Sequence, residues 1–140
     1  MNSSHGILAT ILVLLLTVSP AMAKTKKFGK GVPEKAPITK LSEIVKDPQK
    51  FKDQEVVLQG NFINICCATD FVYREGLESI EIFPQDFPIP KLDKGKPIKI
   101  WGVVRIMEKE SDENTVKGDS VQAEASEPII YVDALGMEAK

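Results

Sequence analysis

Cys66 and Cys67 are the residues best suited to chemistry in this chain, being its only cysteines and directly adjacent. Thiolates ligate soft metals and exchange with disulfides, so their use depends on how the backbone presents them. On a regular strand, neighbouring side chains point to opposite faces, which keeps two adjacent thiols apart. A disulfide between them would close a small, strained ring. Three readings stay open: one thiol buried as a small hydrophobe beside one near a loop, an intermolecular disulfide or redox-active pair, and a soft-metal or haem-linked site. A closed four-ligand zinc centre is not expected, because carboxylates would have to complete it.

The other chemical groups are weaker candidates. The sole histidine, His5, lies in an N-terminal stretch that is expected to be removed. Without it the mature chain has no imidazole, which excludes Ser-His-Asp and Cys-His nucleophiles, a histidine base and a histidine metal ligand. Glu75, Glu78, Glu81 and Asp86 fall on a turn and an outward strand face, where carboxylates are ordinarily solvated. No glycine-rich phosphate loop and no Cys-x-x-Cys occurs. A non-enzymatic protein without a cofactor is therefore expected. Of the rings at Phe62, Phe71, Tyr73, Phe83, Phe87 and Trp101, most are expected in the core, with Tyr73 and Trp101 exposed. Asn64, Asp70, Tyr73, Arg74 and Trp101 are the candidate ligand-binding residues, beside Cys66 and Cys67.

The elements that must position these groups lie between Glu55 and Met107. Val56 to Cys66 reads as a long strand, followed by Phe71–Arg74, Ser79–Phe83 and Pro97–Met107, with turn residues between. Apolar side chains change sides near Gly60, Val56 and Leu58 preceding it and Ile63 and Ile65 following. A glycine at such a switch predicts a bend in a strand shared by both halves of a barrel. Ile98, Ile100, Val104 and Ile106 share a face, with Gly102 as a second bend, and 128–135 supplies the last strand. Leu41, Ile44 and Val45 form a helical stripe that Thr39 or Ser42 could cap and Pro48 limits. The stretch from Pro84 to Pro90 cannot be regular structure, and 108–127 reads as a long hairpin loop.

The run Asp47-Pro48-Gln49-Lys50-Phe51-Lys52-Asp53-Gln54-Glu55-Val56-Val57-Leu58-Gln59-Gly60, leading into a strand that ends in cysteine, resembles the small exported bacterial OB-fold proteins, among them anticodon-binding-like barrels. Lys94-Gly95-Lys96-Pro97-Ile98-Lys99-Ile100-Trp101-Gly102-Val103-Val104 resembles their fourth strand. The resemblance covers Leu41 to Leu135. It implies a mainly β chain, a five-stranded OB-like Greek-key barrel with a short N-terminal helix, and carries over no catalytic residue.

The N-terminus completes the organisation. Ile7–Val18 is almost wholly apolar and leads through Ser19-Pro20 to Ala21-Met22-Ala23, the pattern of a secretory signal cleaved after Ala23. Export to the periplasm is expected, with no membrane span left after cleavage. Residues 1–23 are thus the signal, 24–38 a flexible basic arm and 39–137 the barrel. Nine lysines between Lys24 and Lys52 face only Glu34, Glu43 and Asp47, while the rest is acidic on balance. With Arg74, Lys99 and Arg105 isolated on an acidic barrel, nucleic acid is not the expected partner. A small molecule, glycan, peptide or periplasmic protein is, bound on the face built by the first three strands and the proline-rich loop, and a disulfide-linked dimer is one outcome for an exposed thiol.

Overall fold

A strand that changes partner along its length holds the sheet together. It is β2 (Glu55–Ile65), and in the computed structural model, which describes residues 24–108 and 127–140, it follows β1 (Lys26–Gly29), α1 (Leu41–Lys46) and α2 (Pro48–Phe51). After it come β3 (Phe71–Glu75), β4 (Glu78–Pro84), β5 (Pro97–Met107) and β6 (Ile129–Ala139). From Glu55 to Asn61, β2 pairs antiparallel with β5, and from Asn61 to Ile65 with β3. β3 pairs with β4, β4 runs parallel to β6, and β6 returns antiparallel to β5. The ring β2–β3–β4–β6–β5 therefore closes, with one parallel pair, in the strand order of an OB barrel. The expected mainly β, five-stranded Greek-key barrel is what forms.

The core explains why the ring stays shut. Leu58, Phe71, Tyr73, Ile82, Ile100, Val104, Val132 and Met137 are fully buried inside it, and α1 adds Leu41 and Ile44. Each large apolar side chain removed from water contributes about 1.5–3 kcal/mol. Gly102 coincides with a register shift between β5 and β6, as its expected bend requires.

Four local expectations are corrected. Burial does not cross sides at Gly60: Val56, Leu58 and Phe62 all face inward, while Ile65 is 48% exposed. The register slips instead between Phe62 and Asn64, so Ile63 is the bulge that re-aims the end of the strand. Gly60 has another duty, because a β-carbon there would stand 2.4 Å from the Arg74 carbonyl oxygen and 2.7 Å from the Tyr73 hydroxyl.

The basic arm over 24–38 is not wholly flexible. Lys26–Gly29 pairs with Gly136–Ala139 of β6, Val32 is buried, and Ile38 bridges Val57. Backbone pairing needs no apolar side chain, so a lysine-rich stretch can serve as an edge strand.

Neither Thr39 nor Ser42 caps α1. The Leu41 N–H instead donates to Glu75 Oε2 at 3.1 Å, a long-range substitute for a local cap. Pro48 limits α1 as expected but also opens a second short helix, α2, and no helix fills the slot between β4 and β5. β6 runs on to Ala139, beyond the expected end of the last strand. Among the described residues no helix is long and apolar enough to cross a membrane. The expected signal and most of the expected 108–127 loop lie outside the described residues.

Candidate functional site

The rim where β2 hands over to β3 collects most of the chemistry. The ladder ends at Ile65 opposite Phe71, and the Cys66 N–H then donates to the Asp70 carbonyl at 3.2 Å, closing a five-residue loop. Because the strand stops before them, Cys66 and Cys67 escape the alternation that would send them to opposite faces. Both are exposed free thiols, and Cys67 Sγ donates to Cys66 Sγ across 3.8 Å. Asp70 is only 4% exposed, yet a carboxylate oxygen of it lies within 4.8 Å of both sulfurs. The Thr69 hydroxyl donates to Asp70 Oδ1 at 3.4 Å. Hydrogen bonding and negative charge from Cys67 push the Cys66 thiol up, with Asp70, slight burial and Glu81 adding to it. A thiol so placed stays protonated near neutrality, which is the reverse of what an activated nucleophile needs.

A groove of about 410 Å³ runs beside this rim, between Phe62, Ile63, Asn64 and Ile65 on one wall and Lys91, Leu92 and Asp93 on the other. Its size falls within the range of small-molecule sites. The second wall is tied to the first by backbone bonds from Gly95 N–H to the Phe62 carbonyl (2.7 Å) and from Phe62 N–H to the Lys96 carbonyl (2.9 Å). The Asn61 amide adds a donor to the Gly95 carbonyl at 2.9 Å.

The seven candidate residues divide by position. Asn64, Cys66, Cys67 and Asp70 come together along the groove and rim. Arg74 is exposed on β3, paired in register with Asn61. Trp101 lies on the outer side of β5, where its indole N–H donates to Glu55 Oε2 at 3.2 Å. It lines a separate cleft of about 170 Å³ with Pro33, Pro37 and Thr39.

Tyr73, expected at the surface, is fully buried. It shares the inward face of β3 with Phe71, and its hydroxyl is satisfied by donating to Glu75 Oε2 at 3.0 Å. Arg105, expected to be isolated, binds Asp133 at 2.9 Å and Asp53 at 2.6 Å. Those two acids, Asp133 foremost, hold its guanidinium above its ordinary value. Ile63 and Lys91–Asp93 were not singled out beforehand. Leu92, an apolar residue stranded in an irregular stretch after Pro90, was the available signal.

Tyr73 gives a pH prediction. Burial, then the charge and hydrogen bond of Glu75, push its phenol well above the ordinary value of 10.0. The folded chain keeps this proton where the unfolded chain releases it. The stabilisation is therefore complete below about pH 10 and declines as pH climbs from there toward the folded value. Urea unfolding between pH 8 and 11 should show the parent losing up to about 1.4 kcal/mol per pH unit more than Tyr73→Phe. Equal slopes would place the phenol outside the core. At pH 7 the same substitution should cost about 1 kcal/mol, the net worth of one hydrogen bond.

No family model matches the chain, and no curated protein matches it. Solved structures do. A protein from Leishmania major Friedlin assigned as an aspartyl-tRNA synthetase superposes with a TM-score of 0.51 at 10% identity, covering 79% of this chain and 22% of its own. The hypothetical protein ygiW from E. coli has a TM-score of 0.48 at 14% identity over 74% of this chain and 90% of its own. The aspartyl-tRNA synthetase of Entamoeba histolytica gives 0.49 at 11% over 77% and 23%. The chain thus spans less than a quarter of either synthetase. At such identities the first likeness speaks for the fold alone, and it agrees with the strand order of an OB barrel.

Proposed function

We propose that this chain is a non-enzymatic binding domain, exported to the periplasm, that holds a small amphipathic molecule or short peptide in the groove beside the bulged end of β2. The groove is the observation that carries this reading. Ile63, Ile65 and Leu92 offer aliphatic contact, while Asn64, Lys91 and Asp93 offer an amide and both signs of charge. That mixture suits a ligand with an apolar body and a polar end. Phe62 is buried, so the groove lacks the exposed ring on which a sugar or base would stack. Glu75, one of the carboxylates that could have served acid–base work, is instead engaged by the Tyr73 hydroxyl and the Leu41 N–H. Removal of residues 1–23 leaves every strand of the barrel in place, since β1 begins at Lys26.

Native mass spectrometry of the chain taken from its own host tests the reading. We expect an N-terminus at Lys24 and a non-covalent adduct that is lost in Ile65→Glu, an exposed position whose change leaves the core intact. No adduct, or one that survives the substitution, would overturn the groove; an N-terminus at Met1 would overturn export. Fluorescence anisotropy with oligothymidylate supplies a further prediction. Binding should stay at the non-specific level, weaker than about 10⁻⁶ M at physiological salt, and a tighter, steeply salt-dependent complex would favour nucleic acid instead.

A further inference from the structure

We infer that Cys66, Cys67 and Asp70 form a site for one thiophilic divalent cation of the zinc class, with three protein ligands and an open fourth position. Two adjacent cysteines converge on one point only where the pleat of a strand is broken, and β2 ends at Ile65, directly before them. Their sulfurs stand 3.8 Å apart. That is the edge of a tetrahedron with metal–sulfur bonds of about 2.3 Å, for which the edge is roughly 3.8 Å. The third corner comes from Asp70, whose ligating oxygen lies within 4.8 Å of both sulfurs. The sulfur pair already has this spacing, so only the Asp70 oxygen has to move closer to reach its corner. Asp70 is the single charged residue buried among the described residues, and its side-chain partner is a Thr69 hydroxyl at 3.4 Å. A cation between this carboxylate and the thiols would give it a charged partner that no other described side chain supplies. The Cys66 N–H to Asp70 carbonyl bond of 3.2 Å fixes the loop that brings the three together.

Two sulfurs and one oxygen match a borderline-soft ion better than calcium or magnesium, which take oxygen alone. Because both thiols are exposed, the fourth position is open to water or to a donor from another molecule. Binding replaces two S–H bonds with two metal–sulfur bonds and releases two protons, with no change of oxidation state. The site is independent of the groove and stands even if no organic ligand binds there.

Cadmium titration of the reduced full chain, followed by its ultraviolet thiolate-to-metal band, tests the assignment, with native mass spectrometry for stoichiometry. One ion per chain is expected. Cys66→Ser or Cys67→Ser should remove most of the band. Asp70→Asn should keep the band and weaken binding at least about tenfold, the scale on which even outer partners of metal ligands act. Thermal unfolding of each variant without metal establishes that it is folded, and Leu77→Ala, fully exposed in the turn at the far end of β3 from the three ligands, should bind like the parent. Absence of the band, one ion shared by two chains, or unchanged affinity in Asp70→Asn would each overturn the site. So would a freshly isolated chain whose two thiols are already joined as a disulfide.

Discussion

Replacing Gly60 by alanine is expected to destabilise the chain by about 3 kcal/mol, the upper end of what overpacking ordinarily costs. The added methyl would enter a space already taken, 2.4 Å from the Arg74 carbonyl oxygen and 2.8 Å from the Tyr73 ring. The carbonyl belongs to a paired strand, and the ring is fully buried, so neither can swing aside. Relief requires β2 and β3 to separate just where β2 passes from one partner to the other. A domain of this size has only about 5–15 kcal/mol of stability in total, so the loss is large. Urea unfolding followed by circular dichroism measures it. A loss below about 0.5 kcal/mol would show that Tyr73 does not lie across the strand. Gly76 provides the contrast: it occupies the tight turn before β4 with nothing within 4 Å of an added β-carbon. Alanine there should cost only the positive-φ penalty, about 1–2 kcal/mol.

The second large effect is expected from Phe71→Ala, at about 3–5 kcal/mol. Phe71 is fully buried and its ring lies 5.5 Å from that of Phe62 at 39°. Truncation removes the aromatic pair and leaves a cavity next to Asp70, the last residue of the candidate cation site. Phe71→Leu fills most of the hole and should cost clearly less. The difference between the two variants in the same urea experiment isolates the cavity; identical losses would mean that the site collapses around either side chain. Because Phe71 also anchors the end of the 66–70 loop, the alanine variant should speed hydrogen exchange at the Cys66 amide.

These two positions also show what was legible beforehand. The alternation of Ile98, Ile100 and Val104 marked β5 without ambiguity, since an inward face beside a solvated one leaves that trace in any sequence. The same logic placed β2, β3 and β4; β2 is shared by both halves as expected, but the switch of buried face at Gly60 from which closure was argued does not occur. Gly60 was singled out for the wrong reason. A glycine in a strand marks either a bend or a close approach, and only coordinates show the Tyr73 ring across it. Tyr73 itself was misplaced because a hydroxyl suggests the surface until its partner is known, and Glu75 supplies that partner from two residues away. β1 carried only Phe28 as an apolar mark, which packs against the core, while Lys26 and Lys27 pair through their backbones. Cys66 and Cys67 were assigned by strand alternation, which stopped applying one residue earlier. The far wall of the groove, Lys91–Asp93, comes from an irregular stretch whose path no periodicity describes.

Amide chemical-shift mapping of the ¹⁵N-labelled chain against a panel of short peptides and small amphiphiles tests the central claim, that binding belongs to the β2–β3 rim of the closed barrel. Shifts confined to Ile63–Asp70 and Lys91–Asp93 are the predicted result. Shifts centred on the Trp101 cleft near Pro33 and Pro37, with the rim unmoved, would contradict it.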